Sequence, residues 1–442
     1  MRNNLIFMFG ILFFLVQTGK AQQDTLKRFT LKEAVEFAKK NNFNLINSRL
    51  DMESSEKKVN EVLALGLPQV NANANLINNV TIGSNVINFG GQPMVIKFGT
   101  PYSSTIGLTA TQLIFDGTFF LGLKASKEFV NLSKLNINRS EIETEVNVSK
   151  AYYSAILVDV KLKMLNKNIE TLEKSKRDLE LTFKNGLVEK IDVDRLTLQL
   201  SNLKLDRDKS IDLKLLTLML LKFQMGINVN SNIELTDNLD DLFLKASIES
   251  AAEKIVYENR IEYKMLQEQL TLNILDKKRY YVGYLPSLAA FYNNQRNTFG
   301  DKFGDLYKSA NTFPASSVGL SLNVPIFDGL RKTAQIQQTR INIRKNENDL
   351  KNIESLIEQQ VYQSRTHFSR TKEQIEIQKR NLELAQEIYN RSEIKYKNGV
   401  GSSLELTTSQ SDLENARTNY LTTVYDYFVA ELELKKSLGN IK

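Results

Sequence analysis

Two short strings occur twice in this chain at nearly the same offset. Ile114-Phe115-Asp116-Gly117 returns as Ile326-Phe327-Asp328-Gly329, and Lys184-Asn185-Gly186 returns as Lys397-Asn398-Gly399. The order of events around them also repeats: a helical segment, Leu-Pro, an alternating run, a Gly-rich loop, a second alternating run, then a very long helical segment broken by a glycine. The chain is a tandem duplication, and each copy is far too long for a solenoid repeat, so each is a whole structural module. The expected division is 22–226 for the first module, 227–247 for an inter-repeat segment and 248–442 for the second.

The N-terminus supplies an address. Arg2 precedes an apolar run over residues 5–16, too short to span a bilayer as a helix, and Gly19-Lys20-Ala21 offers small residues at the cleavage positions. Residues 1–21 therefore read as a signal peptide. With no cysteine in the chain, an exported protein of this length holds together by packing or assembly rather than by disulfides. The formal charge of +7 is spread among nearly equal numbers of acids and bases, the look of solvated helix faces, so nucleic acid is not an expected partner. Lys277-Lys278-Arg279 is the one short basic cluster, and its place just before a candidate membrane strand suggests an interfacial or solvated role.

No segment after the signal peptide is long and apolar enough for a membrane helix, so insertion would have to be by strands. After Pro68, Val70, Ala72, Ala74 and Leu76 alternate with Gln69, Asn71, Asn73 and Asn75. Ile106, Leu108 and Ala110 alternate with Gly107, Thr109 and Thr111, and Val318, Leu320, Leu322 and Val324 with Gly319, Ser321 and Asn323; the run over 287–295 alternates less cleanly. Aliphatic residues on one side and Asn, Thr, Ser or Gly on the other fit strands between lipid and a watery lumen. A half-buried sheet of a soluble domain has the same period, but two separated hairpins in an exported chain favour the barrel. The hairpins are expected over 68–115 and 286–327, with long loops at 81–103 and 297–315. Four strands cannot close a barrel, for which roughly eight are needed, so several copies must share one wall.

Helices make up most of the mass. The segment from about 118 to 185 has no proline and reaches roughly 100 Å at ~1.5 Å per residue, too long for the core of a compact domain. Asp116 and Asp328 stand where N-caps should be, and Thr30 with Glu33 has capping-box spacing. Leu165, Ile169, Leu172, Leu179 and Phe183 keep three-four spacing, with Lys176 in one seam position; Ile191, Leu198 and Leu205, and likewise Leu196 and Leu203, recur every seven residues. Gly186 then marks a turn between antiparallel helices. The second copy has a wetter expected seam, with Gln378, Glu383, Gln386, Glu387 and Glu393 before the turn, and Ser402, Ser403 and Thr407 through Ser411 after it. Such a seam faces either bulk solvent or a water-filled lumen.

At this point the residues match a known family. The chain resembles the TolC-like outer-membrane efflux proteins over nearly all of the sequence after the signal peptide. The likeness rests on Leu67-Pro68 and Leu285-Pro286 opening each hairpin, on the doubled Ile-Phe-Asp-Gly, and on Tyr396-Lys397-Asn398-Gly399 through Leu404-Glu405, Leu413, Ala416, Tyr420 and Tyr427 to Leu438-Gly439. The earlier copy closes at Met225-Gly226.

The resemblance implies an α+β membrane protein of two tandem structural repeats. A homotrimer would pool four strands per chain into one transmembrane β-barrel in the outer membrane and pool long antiparallel coiled-coil helices into a helical barrel across the periplasm. It would dock on a periplasmic adaptor (membrane fusion) protein and an inner-membrane transporter, as the passive exit duct of a tripartite efflux or type I secretion system. Gly186-Leu187-Val188 and Gly399-Val400-Gly401 would be the adaptor-facing tip turns. Asp116-Gly117 and Asp328-Gly329 would be the strand-to-helix junctions. By the same resemblance Glu405 lines the tip constriction as a three-fold carboxylate ring, with Thr408 where a second acid is usual. Asp192 and Tyr396 match positions that link the helical hairpins when closed, whereas the basic partner expected near them is replaced by Gly401. A bland alternative for Asp192 and Glu405 is a first-turn acid favoured by the helix dipole.

Other classes fit less well. There is one histidine, His367, in a polar helical stretch, with no thiol, GxSxG or phosphate-cradling loop, so no enzyme, cofactor or metal is expected. A soluble periplasmic coiled-coil structural or adaptor protein without a barrel would explain the helices and leave the amphipathic strands unexplained.

Overall fold

The computed structural model describes residues 27–239, 242–243 and 254–441. The expected signal peptide lies outside the described residues, as do parts of the inter-repeat segment and the start of the second module.

Each repeat opens with shorter helices and closes with a long helical hairpin. Thr30 begins α1 (Leu31–Asn41) as the capping box its spacing predicts: the Thr30 N–H donates to Glu33 Oε2 at 2.8 Å, and the Glu33 N–H donates to Thr30 Oγ1 at 3.3 Å. Asn42 then caps α2 (Phe43–Ala64). The long pair of the first repeat is α3 (Gly117–Lys184) and α4 (Lys190–Met225); the second repeat has α5 (Ile261–Val282), α6 (Arg331–Lys397) and α7 (Ser403–Leu438). At 68 and 67 residues, α3 and α6 are each roughly 100 Å long.

The two hairpins join into one antiparallel sheet in the order β2 (Gln69–Asn78), β5 (Tyr102–Phe115), β7 (Ser287–Gly300), β8 (Thr312–Asn323). Register decides the faces, because directly opposed residues share one. The row Val70, Ala110, Tyr292, Val318 is apolar, and the next row, Asn71, Thr109, Asn293, Ser317, is polar. Leu108, Val318, Leu320 and Leu322 are 51–81% exposed on the apolar face. The outer strands β2 and β8 each have one free edge.

Two features of this region depart from expectation. Within the loop at 81–103, Ser84–Phe89 (β3) and Gln92–Lys97 (β4) pair across Gly90 and Gly91, both at positive φ, a two-residue turn that glycine permits. The second hairpin ends at Asn323 rather than 327, because Pro325 has no N–H for a ladder and the Pro-Ile-Phe-Asp stretch leaves the sheet. The shortest strands, β1 (Lys27–Phe29) and β6 (Ile233–Leu235), form a parallel pair too short to show a period in sequence.

The main core lies where both repeats meet midway along the helices. Val148, Tyr152 and Ile156 of α3 pack with Leu221 and Met225 of α4, Ile357 and Val361 of α6, and Val424, Phe428 and Leu434 of α7. Tyr153 stacks on Phe428 at 4.9 Å between ring centroids, and Phe368 on Tyr427 at 5.5 Å. The Tyr152 hydroxyl donates to Phe29 O at 3.0 Å and Asp237 Oδ2 at 2.9 Å, tying α3 to β1 and to the segment that follows β6; burial holds its pKa well above the usual phenol value.

Farther along, the first coiled coil buries Leu165, Ile169, Leu172 and Leu179 against Leu196, Leu200 and Leu203. Only one of the two heptad series on α4 belongs to this seam. Ile191, Leu198 and Leu205 are 49%, 65% and 54% exposed on the other side of α4, and Phe183 is 40% exposed. The second seam also differs from expectation: Ala385, Tyr389, Leu406 and Leu413 form it, with Ser392, Ser403, Ser409 and Gln410 buried alongside. Glu383 and Glu387 point to solvent. Small polar residues tolerate close helix approach, whereas a carboxylate there would be desolvated at a cost of several kcal/mol.

Candidate functional site

The far ends of the two helical hairpins lie together. Each long helix stops with a Schellman turn, in which a glycine takes the left-handed conformation that other residues adopt only at a cost. Gly186 (φ 73°) and Gly399 (φ 72°) occupy this place. Leu187 N donates to Thr182 O at 3.2 Å and Val400 N to Lys395 O at 3.0 Å. Leu187 and Val400 are then 75% and 76% exposed, while Val188 turns inward against the first seam.

Gly401 has a separate reason. A Cβ there would come within 2.9 Å of Tyr396 N and 3.0 Å of Lys395 Cβ, since the second turn folds back onto the end of α6. No basic side chain fits at that position. Basic groups arrive instead from Arg195 and Lys395. The Ser403 hydroxyl donates to Asp192 Oδ1, and Arg195 Nη1 donates to Ser403 Oγ at 3.3 Å. One chain's two hairpins are thereby pinned through Ser403, at the first position of α7. Glu405 Oε1 accepts from Lys395 Nζ at 2.7 Å, and the Glu405 N–H donates to the N-cap Ser402 Oγ at 3.1 Å. Thr408 is exposed one turn on.

Asp192 and Tyr396 are neighbours without a hydrogen bond between them. The Tyr396 ring packs against both seams, and its shielded hydroxyl has no hydrogen-bond partner. Burial first, and then the charge of Asp192, push its pKa up. Between the two hairpins runs a cleft of about 810 Å³, lined at its centre by Asp178, Leu187, Asp192, Arg195, Tyr396 and Ser403. Carboxylates and cations both line it.

Sequence reading names Asp192, Tyr396 and Glu405, places Ser403 only in the wetter seam, and misses Arg195 and Lys395. The signal for Lys395 is positional: ten residues and a double-glycine turn bring it opposite Glu405. No sequence period announces Ser403.

The junctions at the sheet are unequal. Asp116 caps α3, its Oδ1 accepting from Thr118 N at 2.7 Å and Phe119 N at 3.4 Å. Asp328 is not the N-cap of α6. That place falls to Leu330 (φ 66°), and Gly329 precedes it at φ 67°. The Asp328 carboxylate reaches forward instead, accepting from Lys332 N at 3.2 Å and pairing with Lys332 Nζ at 3.4 Å. These charges hold its pKa below the usual carboxylate range despite partial burial.

A four-stranded sheet with one apolar and one polar face is thus set on long helical hairpins that end in a polar tip. Among the described residues no helix is long and apolar enough to cross a membrane. Residues 283–440 match the family described as outer membrane efflux protein. The chain is 21% identical over 429 residues to outer membrane protein TolC of Escherichia coli (strain K12), covering 93% of this chain and 82% of that one. Its fold is like that of the Campylobacter jejuni CmeC outer membrane channel (TM-score 0.72, 16% identity, 92% of this chain and 85% of that one). It is also like the open-state Neisseria gonorrhoeae MtrE outer membrane channel (TM-score 0.68, 16% identity, 92% and 88%). Through residues 283–440 and through its fold, the chain is similar to the TolC-like outer-membrane efflux proteins.

Proposed function

We propose that the chain is the passive exit duct of a tripartite efflux or type I secretion system, spanning the outer membrane and the periplasm. The observation that carries this is the four-stranded sheet with an exposed apolar face and free edges at β2 and β8. Unpaired backbone groups have no place in hydrocarbon, so in a bilayer each edge must meet another copy's edge. A homotrimer closes such a barrel, and the stripe Ile191, Leu198, Leu205 on α4 gives the helical part an apolar face for a neighbouring copy. The duct supplies no chemistry; its work is to present a polar inner wall of Asn, Thr and Ser to the cargo.

At the periplasmic tip, the turns at Gly186-Leu187-Val188 and Gly399-Val400-Gly401 would face the adaptor, behind which the inner-membrane transporter sits. Asp192, held through Ser403, would latch the two hairpins, with Tyr396 packed behind it. Glu405, repeated three-fold, would set the charge of the constriction, with Thr408 beside it.

The test is extraction of the full chain from membranes. The expected result is a detergent-dependent trimer that forms conducting pores in planar bilayers. A water-soluble monomer or dimer would establish the periplasmic coiled-coil alternative instead.

A further inference from the structure

The strand-to-helix junction of the second repeat has a concentration of positive charge that conduction does not use. Lys277, Lys278 and Arg279 lie in the last turns of α5, and Arg331 and Lys332 open α6 beside them. Between the two helix ends is a cleft of about 260 Å³, lined among others by Arg279, Tyr280, Gly283, Arg331 and Lys332. Two carboxylates answer these cations: Asp276 Oδ1 lies 3.0 Å from Arg279 Nη2, and Asp328 Oδ2 lies 3.4 Å from Lys332 Nζ. Among the described residues, Arg331, Lys277 and Lys278 form no ion pair. Arg279 Nε is shielded from solvent and has no hydrogen-bond partner, so the guanidinium faces the cleft with its hydrogen-bonding capacity only partly used.

The surroundings say which acceptor. The cleft lies at the rim of the sheet, where Ile326 and Phe327 are 93% and 80% exposed and Tyr284, Leu285 and Leu330 are exposed too. Lys332 Nζ sits 5.1 Å from the centre of the Tyr284 ring, and Tyr281 Oη accepts from Arg340 Nη2 at 2.5 Å. Exposed aliphatic chains, tyrosines and then cations, in that order from strand to helix, match a bilayer's own gradient from acyl chain to headgroup. The first repeat has no such cluster: the corresponding end of α2 reads Glu61-Val62-Leu63-Ala64-Leu65.

We propose that this cleft binds the phosphate of an anionic phospholipid in the leaflet next to the helices. Arg279 and Arg331 supply the charge-assisted hydrogen bonds, and Ile326, Phe327 and Leu330 meet the acyl chains. The inference rests on the reading that the sheet is a membrane wall, and it fixes the depth at which that wall stops.

Native mass spectrometry of the full chain, released from detergent with phosphatidylglycerol or phosphatidylcholine added, tests it. Phosphatidylglycerol should be retained in preference to phosphatidylcholine. R279Q and R331Q should each lower that retention about fivefold, the effect of one basic group near a charged lipid surface. Inorganic phosphate at the same concentration should not displace the lipid. Equal retention of both lipids, or unchanged retention in both variants of a normally assembled protein, overturns the inference and leaves the duct intact. Displacement by inorganic phosphate makes this a free-anion site and overturns the lipid assignment. A chain that needs no detergent removes both readings together.

Discussion

Lys395 Nζ lies 2.7 Å from Glu405 Oε1 across the turn that joins α6 to α7. A carboxylate at the tip is therefore not a bare charge. Both side chains are about half exposed, 53% and 40%, so the pair is worth ~1 kcal/mol or less, and its effect should appear in the field rather than in stability. In planar bilayers E405A should lower cation selectivity, and K395A, by uncovering Glu405, should raise it. Shifts in the same direction for both variants would exclude the role given to Glu405.

Ser403 supplies the polar link between the two helical hairpins of one chain. A hydrogen bond to a charged group contributes about 1.5–3 kcal/mol, so S403A and D192A should each raise the open population of the tip roughly tenfold or more. Increased single-channel conductance and sensitivity of cells to vancomycin-sized molecules are the readouts. Wild-type conductance in both variants would remove the latch.

Glycines at the ends of α3 and α4 should differ sharply on substitution. Gly186 has φ 73° with nothing near its missing Cβ, so G186A should cost ~1–2 kcal/mol. Gly226 has φ 70° and would place a Cβ 2.1 Å from Asn41 O, where backbone must move. G226A should cost well above ~3 kcal/mol and depress folded yield. Thermal unfolding of the two variants side by side would show the order; the reverse order contradicts the packing of α1 on α4.

Glu414 gives a pH prediction. Its Oε1 accepts from Asn168 of α3 and from Arg417 Nη1 at 2.8 Å, while Arg417 Nη2 donates to Gln386 of α6 at 2.8 Å. Burial pushes the Glu414 pKa up, against the opposing pull of Arg417. A folded-state pKa above the unfolded one means the folded protein binds the extra proton. Stability from this group therefore rises as pH falls through that raised value and declines as pH rises. E414Q should abolish this component, so the stability difference between wild type and E414Q should shift toward wild type as pH falls through the raised Glu414 value. A difference independent of pH would show that Glu414 titrates normally.

Much of the candidate site was legible because glycine turns and capping residues act locally. Gly186, Gly399, Thr30 and Asp116 do in the fold what their neighbours in sequence dictate. Arg195 and the linking role of Ser403 were not legible, because their partners are set by how hairpins pack, whereas Lys395 meets Glu405 across a local turn. The same division explains the seams. Two heptad series on α4 look equivalent in sequence, and packing buries Leu196 and Leu203 while leaving Leu198 and Leu205 exposed.

By itself, the sequence determined the duplication, the hairpins with their alternating faces, the helix lengths and the turns, since each depends on a local period or on a residue's backbone preference. Tertiary structure decided that the two hairpins join through β5 and β7 into one sheet. It also made Asp328 reach for Lys332 rather than cap α6, and brought Arg279 and Arg331 to one cleft. These are contacts between segments far apart along the chain, set by the register and packing of whole elements, which no local pattern encodes.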